Sequence, residues 1–140
     1  MTLIEKPWCS AVFRIISEKK SIEEICDIMK VEPTRYHKKG ELQSKRDPKS
    51  KKREENIWIL KSSLDEHESL QSHIEHLISF VKDYSDSIKV LMQECEFDIM
   101  CAYSSGDGQG GFTLDHKLLL GLTFYPIDLS ISLYPPSIGS

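Results

Sequence analysis

The sequence predicts an α+β domain in which doubled strand-helix-strand units form one four- to five-stranded sheet with helices packed on one face. Runs of β-branched and aromatic residues alternate with runs whose apolar residues recur at helical spacing. The length of 140 residues is that of one ordinary domain, so residues 1–140 are predicted to form a single core. Aligning Pro33 with Pro126 superimposes the apolar positions before each proline, and a strand lies on either side of each matched helix. Such a doubled unit with right-handed crossovers can take a ferredoxin-like arrangement.

The first strand and helix are indicated near the N-terminus. Residues 10–17 (SAVFRIIS) carry Arg14 as their only charge, which favours a central strand covered on both faces. Ser21 and Glu24 form a capping-box pattern at the start of an amphipathic helix. Pro33 ends that helix, because proline lacks a backbone N–H and disfavours helix in the residue before it.

Two further strands flank the longest predicted helix. Residues 56–61 (NIWILK) predict a strand covered on both faces. Residues 95–103 predict a half-exposed strand, because polar and apolar side chains alternate along it. Between the two, apolar residues recur at helical spacing from Glu66 to about Tyr84, with a break near Ser85.

The C-terminal third predicts a loop, a helix and a last strand. The loop is SSGDGQGG at 104–111, and the helix after it is capped by Thr113 or Asp115 and stopped by Pro126. The last strand is IDLSISLY at 127–134. Its predicted inner face consists of Ile127, Leu129, Ile131 and Leu133.

Composition excludes several classes of protein. Apolar residues make up 39% and charged residues 29% of the chain, and no apolar run approaches the roughly 18 residues of a membrane span. The first ten residues lack the apolar core of an export signal, so we expect a cytoplasmic protein. The four cysteines contain no CxxC pair and fall within apolar patterns, which favours core thiols over disulfides or zinc ligands. We therefore expect no metal and no cofactor.

Charge is distributed unevenly along the chain. Residues 35–53 hold nine of the 18 Lys and Arg residues and two acidic residues, a local charge of +7 in a chain whose net charge is −4. A basic loop insert at about 35–54 is the favoured interpretation. A nucleic-acid-binding segment is the alternative, because clustered cations release phosphate counterions. Its candidate residues are Arg35, Tyr36, Lys38, Lys39, Lys51, Lys52 and Arg53.

Two other patterns do not indicate chemistry. Residues 106–111 match GxGxxG, but the chain supplies too few parallel strands after them for a dinucleotide fold, so a flexible turn is favoured. His73 and His76 lack a third ligand and are interpreted as surface histidines. With no catalytic motif in the chain, we expect a protein that is not an enzyme.

The order of several short motifs resembles a widespread bacterial family of small domains of unknown function, the DUF4279 type. The motifs are SAVFRI, a short helix, VEPTRYHKKGE, NIWIL and a terminal helix and strand ending in Tyr134-Pro135. Recurring positions are Pro33, Lys39-Gly40 and Trp58, and this chain departs from the pattern in its lysine-rich insert after Gly40. The resemblance supplies no activity or catalytic residue. It implies a single-domain, cytoplasmic bacterial protein, and similar small proteins often lie among toxin-immunity genes.

Acidic side chains on predicted outer surfaces are the favoured binding residues. They are Glu68, Glu75, Asp86, Glu96 and Asp98. Acidic surfaces are suited to covering the basic cleft of a nuclease, because opposed potentials accelerate encounter. We therefore predict a protein partner, specifically an immunity-type inhibitor that neutralises a toxin. A nucleic-acid-binding module and an uncharacterised small enzyme remain the alternatives.

Overall fold

The computed structural model describes residues 6–135, which contain five strands and four helices, and it confirms the predicted α+β class. In chain order these elements are β1 (Trp8–Ser17), α1 (Ile22–Met29), β2 (Arg35–His37), β3 (Asn56–Lys61), α2 (Leu70–Asp83), α3 (Ser85–Leu91), β4 (Glu96–Ser104), α4 (His116–Leu122) and β5 (Ile127–Leu133). None of the helices in this described part of the chain is both long and apolar enough to cross a bilayer.

The sheet has the order β2-β3-β1-β4-β5. β1 pairs antiparallel with β3 on one side and with β4 on the other, and β5 runs parallel to β4. The first four strands therefore have a ferredoxin-like order: α1 connects β1 to β2, and α2 with α3 connects β3 to β4. α4 and β5 extend the sheet beyond β4.

The repeat differs in detail from the predicted one. The sequence paired β1 with β3 as the two strands of the first unit, but the return strand after α1 is β2, which has only three residues. Thr34, which precedes β2, fixes this return strand beside β3. Its N–H donates to the Ile59 carbonyl, and its hydroxyl accepts from the Lys61 N–H. β3 runs antiparallel to β2 and also antiparallel to β1, so it lies between them.

The basic insert begins within β2 and then folds back on itself. The Gly40 N–H donates to the Arg53 carbonyl over 2.8 Å, and the Gln43 N–H donates to the Lys51 carbonyl over 2.8 Å. Gly40 has a φ of 91°, a conformation in which a side chain would be strained. The base of the insert is a short antiparallel ladder that contains the bridge between Leu42 and Lys52 and extends to the Gln43–Lys51 hydrogen bond.

Shortening the tip of this insert is expected to have little effect on stability. Residues 44–50 lie beyond the Gln43–Lys51 hydrogen bond, so an Asn-Gly turn in their place can join the two sides of the ladder. The free energy of unfolding, measured by chemical denaturation, should change by less than about 1 kcal/mol, because loop-closure entropy varies slowly with length. A loss above about 2 kcal/mol would show that the tip packs on the domain.

The core lies between one face of the sheet and the helices. On β1 the buried apolar side chains are Cys9, Ala11, Phe13 and Ile15, and they meet buried residues of α1, α2 and α3. The alternate residues of β1 are only half-buried, so the prediction that both its faces are covered was wrong. A central position in the hydrogen-bonding order does not bury a strand's second face when all the helices lie on the other side. On β3, Trp58 and Ile59 point to opposite faces and are both buried.

α1 begins at its predicted capping residue, whereas α2 begins at a cap that was not predicted. The Ser21 hydroxyl accepts from the Glu24 N–H, and the Glu24 carboxylate accepts from the Ser21 N–H, which completes the capping box. α2 begins at Leu70, later than predicted, because Ser69 caps it. The predicted break near Ser85 is confirmed, since α3 begins there after a non-helical Tyr84.

The last helix and strand also match their predicted positions. Asp115 caps α4, and its carboxylate accepts from the Leu118 N–H over 2.9 Å. On β5, Ile127, Leu129 and Ile131 pack partly against the core as predicted. Leu133, predicted on the inner face, is 71% exposed.

The cysteines are free thiols in or beside the core. Cys9, Cys95 and Cys101 are buried, and Cys26 is half-buried on α1. Burial raises the pKa of Cys101 to about 12 and raises the pKa of the other three thiols as well. They are therefore protonated at neutral pH, which agrees with their predicted structural role.

Candidate functional site

The five predicted acidic residues lie on two opposite sides of the sheet. Glu75 and Asp86 are exposed on α2 and α3, within the helix layer, and Glu68 is exposed in the turn before α2. Glu96 and Asp98 lie on β4 among the residues that face away from the helices. No single partner surface of ordinary size spans both groups. Any acidic binding site must be assigned to one side.

Asp98 forms an ion pair with Arg14 within the sheet. It lies directly across from Arg14 on β1, and its two carboxylate oxygens accept hydrogen bonds of 2.8 and 2.5 Å from the Arg14 guanidinium. The hydrogen bond to Asp98 raises the pKa of Arg14. Both side chains are mostly buried, with 23% and 15% exposed. Asp98 therefore stabilises the pairing of β1 with β4 and is not free to take a cation from a partner.

An acidic groove lies at the end of the sheet where β1 finishes and β4 begins. It is an open hollow of about 370 Å³. Four carboxylate side chains line it: Glu18, Glu55, Glu94 and Glu96. Ile16 and Met92 contribute apolar surface to the same cavity. Of the five predicted residues, Glu96 alone belongs to this groove.

The chain positions the acidic groove through the antiparallel pairing of β1 with β4. Ile16 lies opposite Glu96 in that pairing, so residues that follow β1 meet residues that precede β4. The Ser17 hydroxyl donates to the Glu94 carbonyl over 2.7 Å and accepts from the backbone N–H groups of Lys19 and Lys20. These bonds define the turn after β1 and hold one wall of the groove.

Two lysines offset part of the negative charge of the acidic groove. Lys19 lines the cavity itself. The Lys20 ammonium lies 3.4 Å from the Glu94 carboxylate and 3.7 Å from that of Glu24, and the hydrogen bond to Glu94 raises the pKa of Lys20. Within residues 6–135, Glu18, Glu55 and Glu96 form no direct ion pair with a lysine or arginine. Three carboxylates beside apolar surface can accept one long cationic side chain of a partner, with its methylene stem against Ile16 and Met92.

Neither the acidic groove nor any other part of residues 6–135 has the geometry of a metal site. No group of three or more His, Cys, Asp or Glu side chains in this range could hold an ion. His76 is exposed on α2 and its Nε2 lies 3.1 Å from the Ser63 hydroxyl. His73 is buried, so its assignment as a surface histidine was wrong.

The basic candidate residues gather at the β2 edge of the sheet. Arg35, Lys39, Lys51 and Lys52 are exposed, and Arg53 is half-buried at the base of the insert.

Two of the basic candidates are engaged within the chain. The Lys38 ammonium lies 2.6 Å from the Glu23 carboxylate and 5.7 Å from the centre of the Tyr36 ring. Lys38 is therefore partly neutralised by α1, and the ring that could stack on a base is partly covered.

The glycine-rich loop does not resemble a nucleotide-binding turn in structure. Gly106 and Gly108 have φ values of 87° and 86°, and the Asp107 carboxylate accepts the Gln109 N–H, so the loop is a series of tight local turns. α4 begins only at His116, whereas a dinucleotide loop leads directly into its helix. This geometry agrees with the prediction that the glycine-rich loop is a turn.

The residues that sequence reasoning missed are Glu18, Glu55 and Glu94. Each lies next to a predicted strand end, which is a signal that the sequence contains. Their convergence depends on the order β3-β1-β4, which places the end of β1 beside the starts of both neighbouring strands. The order of the strands was the missing information.

Comparison with known proteins identifies a family but not an activity. A family model described as a domain of unknown function (DUF4279) matches residues 7–136, which confirms the resemblance seen in the short motifs. No curated protein and no solved structure matches the chain.

Proposed function

Because the chain belongs to the DUF4279 family of domains of unknown function, we propose a role from its surface: it is an immunity-type inhibitor that neutralises a toxin by protein binding. In this proposal the protein acts in the bacterial cytoplasm and performs no catalysis. The acidic groove accepts a lysine or arginine from the basic cleft of the toxin.

The observation that carries the proposal is the composition of the acidic groove. Glu18, Glu55, Glu94 and Glu96 line an open hollow of about 370 Å³, and the formal net charge of the whole chain is −4. A cationic side chain entering the groove would exchange water for carboxylate oxygens, and its methylene stem would cover Ile16. Such a contact combines charge with apolar burial at one point.

The negative charge of the acidic groove suits an inhibitor of a toxin that cleaves nucleic acid. Such a toxin carries a basic cleft for its substrate, and a groove of opposite potential both accelerates encounter and fixes the register of the complex. The basic insert lies at the β2 edge, whereas the groove lies at the end of the central strands. A partner can therefore approach the acidic groove with the insert to one side.

The double substitution Glu55→Gln with Glu96→Gln is expected to slow association with the toxin. Removing two groove charges weakens steering, so the association rate should fall roughly three- to tenfold at low salt, with a smaller fall at high salt. Identification of a toxin domain encoded beside the gene for this chain supplies the partner, and association kinetics with that domain are then measured at two salt concentrations. Survival of cells that express this toxin gives a second readout.

A matched control uses the acidic residues of the helix layer. Glu75→Gln with Asp86→Asn removes the same charge from exposed positions, and the association rate should stay within about twofold of the unsubstituted protein. If this pair slows association and the groove pair does not, the binding surface is the helix layer. If Lys51→Gln with Lys52→Gln is the only pair that matters, the basic insert is the site. Failure of the neighbouring toxin to bind the chain at all contradicts the proposed function.

A further inference from the structure

β5 forms one edge of the sheet and offers a full strand for pairing. It runs over seven residues, pairs with β4 on one side, and has no other strand beside it within residues 6–135. The opposite edge is β2, whose three residues continue directly into the basic insert. Short strands with lysines nearby discourage pairing, so β5 is the edge that can accept another strand.

The backbone groups that β5 directs outward can be assigned. The Tyr134 N–H donates to the Tyr103 carbonyl of β4 over 2.8 Å. Because the N–H and C=O groups of successive residues in a strand point to alternate edges, even-numbered residues of β5 face β4. Leu129, Ile131 and Leu133 therefore direct their N–H and C=O groups to the free edge.

β5 lacks the features that protect edge strands. Its sequence contains no lysine and no proline, and Asp128 is its only charge. The segment that contains β5, residues 119–134, is also rich in exposed apolar side chains. Of the ten large apolar residues exposed in the described range, five lie between residues 119 and 134: Leu119, Leu120, Phe124, Leu133 and Tyr134. An uncovered edge and uncovered apolar surface occur together.

We infer that β5 pairs antiparallel with β5 of a second copy of this chain, about a twofold axis at Ser130, to give a continuous ten-stranded sheet. In this register Leu129 lies opposite Ile131 of the second copy and exchanges both backbone hydrogen bonds with it. Ile127 lies opposite Leu133 of the second copy. These are the residues whose backbone groups point outward, so the register satisfies them.

Side-chain chemistry favours a second copy over an unrelated strand. About this axis, apolar residues of the inner face meet apolar residues, since Leu129 pairs with Ile131 and Ile127 with Leu133. On the outer face Asp128 lies opposite Ser132, and Ser130 lies opposite itself. No two like charges are placed opposite each other, so the strand is complementary to itself.

The register predicts opposite effects for two lysine substitutions on the same face of β5. Ser130→Lys places two lysines directly opposite each other at the axis, so the dissociation constant of the dimer should rise at least about tenfold. Ser132→Lys places each lysine opposite Asp128 of the other copy, so that constant should stay the same or fall. Both serines are exposed, and the monomer tolerates either change.

The experiment is sedimentation equilibrium of the full chain and the two variants over a range of concentrations, with thermal unfolding to verify that each is folded. A dimer in the unsubstituted chain that Ser130→Lys alone weakens supports the inference. A chain that stays monomeric throughout the range contradicts it. Equal weakening by Ser130→Lys and Ser132→Lys also contradicts it, because that result requires a different register or a different surface.

Discussion

Phe13→Ala is expected to lower the free energy of unfolding by about 3–5 kcal/mol, the range typical of removing a buried aromatic ring. Phe13 is fully buried on β1, and its ring centre lies 6.0 Å from that of Phe97, 6.2 Å from Phe80 and 6.5 Å from Trp58. One ring thus contacts β3, β4 and α2 together. The cavity left by alanine cannot close easily, because these neighbours are fixed by the strand pairing on both sides of β1.

Phe124→Ala is the matched control, since it makes the same chemical change at a site that is 68% exposed. It should alter the free energy of unfolding by no more than about 0.5 kcal/mol. Chemical denaturation at constant pH measures both variants. Similar losses in the two variants would mean that Phe13 is not the centre of the core.

Phe13 illustrates which parts of the fold could be predicted from the sequence. Its strand is an uninterrupted run of strand-forming residues, and that pattern predicted both β1 and its central place. Likewise, the alternation of Phe97 and Ile99 with Glu96 and Asp98 predicted β4 and its inner face. Local patterns of this kind arise because burial of one face imposes a period of two along the strand.

Relations between distant segments were not predictable in the same way. β2 has three residues of which two are exposed, so no hydrophobic pattern marks it, and the first repeat was assigned to the wrong return strand. The acidic groove was missed for a related reason: Glu18, Glu55 and Glu94 meet only after the strands are ordered. Strand order depends on long-range pairing, which a single sequence does not reveal through periodicity.

His73 illustrates the same limit within a helix. It lies at the margin of the apolar stripe of α2, which suggested a surface position, yet it is only 1% exposed. Its partners come from the segment between β3 and α2: the Ser62 hydroxyl is 2.9 Å from Nδ1, and the Asp65 carbonyl is 3.0 Å from Nε2. Since a carbonyl only accepts, Nε2 carries the proton, and Nδ1 accepts from Ser62 in the neutral ring.

Replacing this histidine is the second change with a large expected effect. His73→Ala opens a cavity and leaves the buried Ser62 hydroxyl without the acceptor for its proton, so the free energy of unfolding at pH 7 should fall by about 2–4 kcal/mol. The Asp65 carbonyl keeps one hydrogen bond, from the Glu68 N–H. His76→Ala is the control, because His76 is exposed one turn further along α2 and should change that free energy by no more than about 0.5 kcal/mol.

The pH dependence of stability tests the state of His73 directly. Desolvation by burial lowers the pKa of His73 in the folded protein, although the hydrogen bond to Asp65 opposes this shift. Below the unfolded value of about 6.5 the unfolded chain binds a proton that the folded chain does not, so stability falls as the pH decreases, by at most about 1.4 kcal/mol per pH unit. Burial lowers the pKa of His37 too, so the His73 contribution is the difference between the unsubstituted protein and His73→Ala. That difference should shrink from pH 7 to pH 5. A difference that stays constant across this range would mean that His73 takes up its proton in the folded protein as readily as in the unfolded chain.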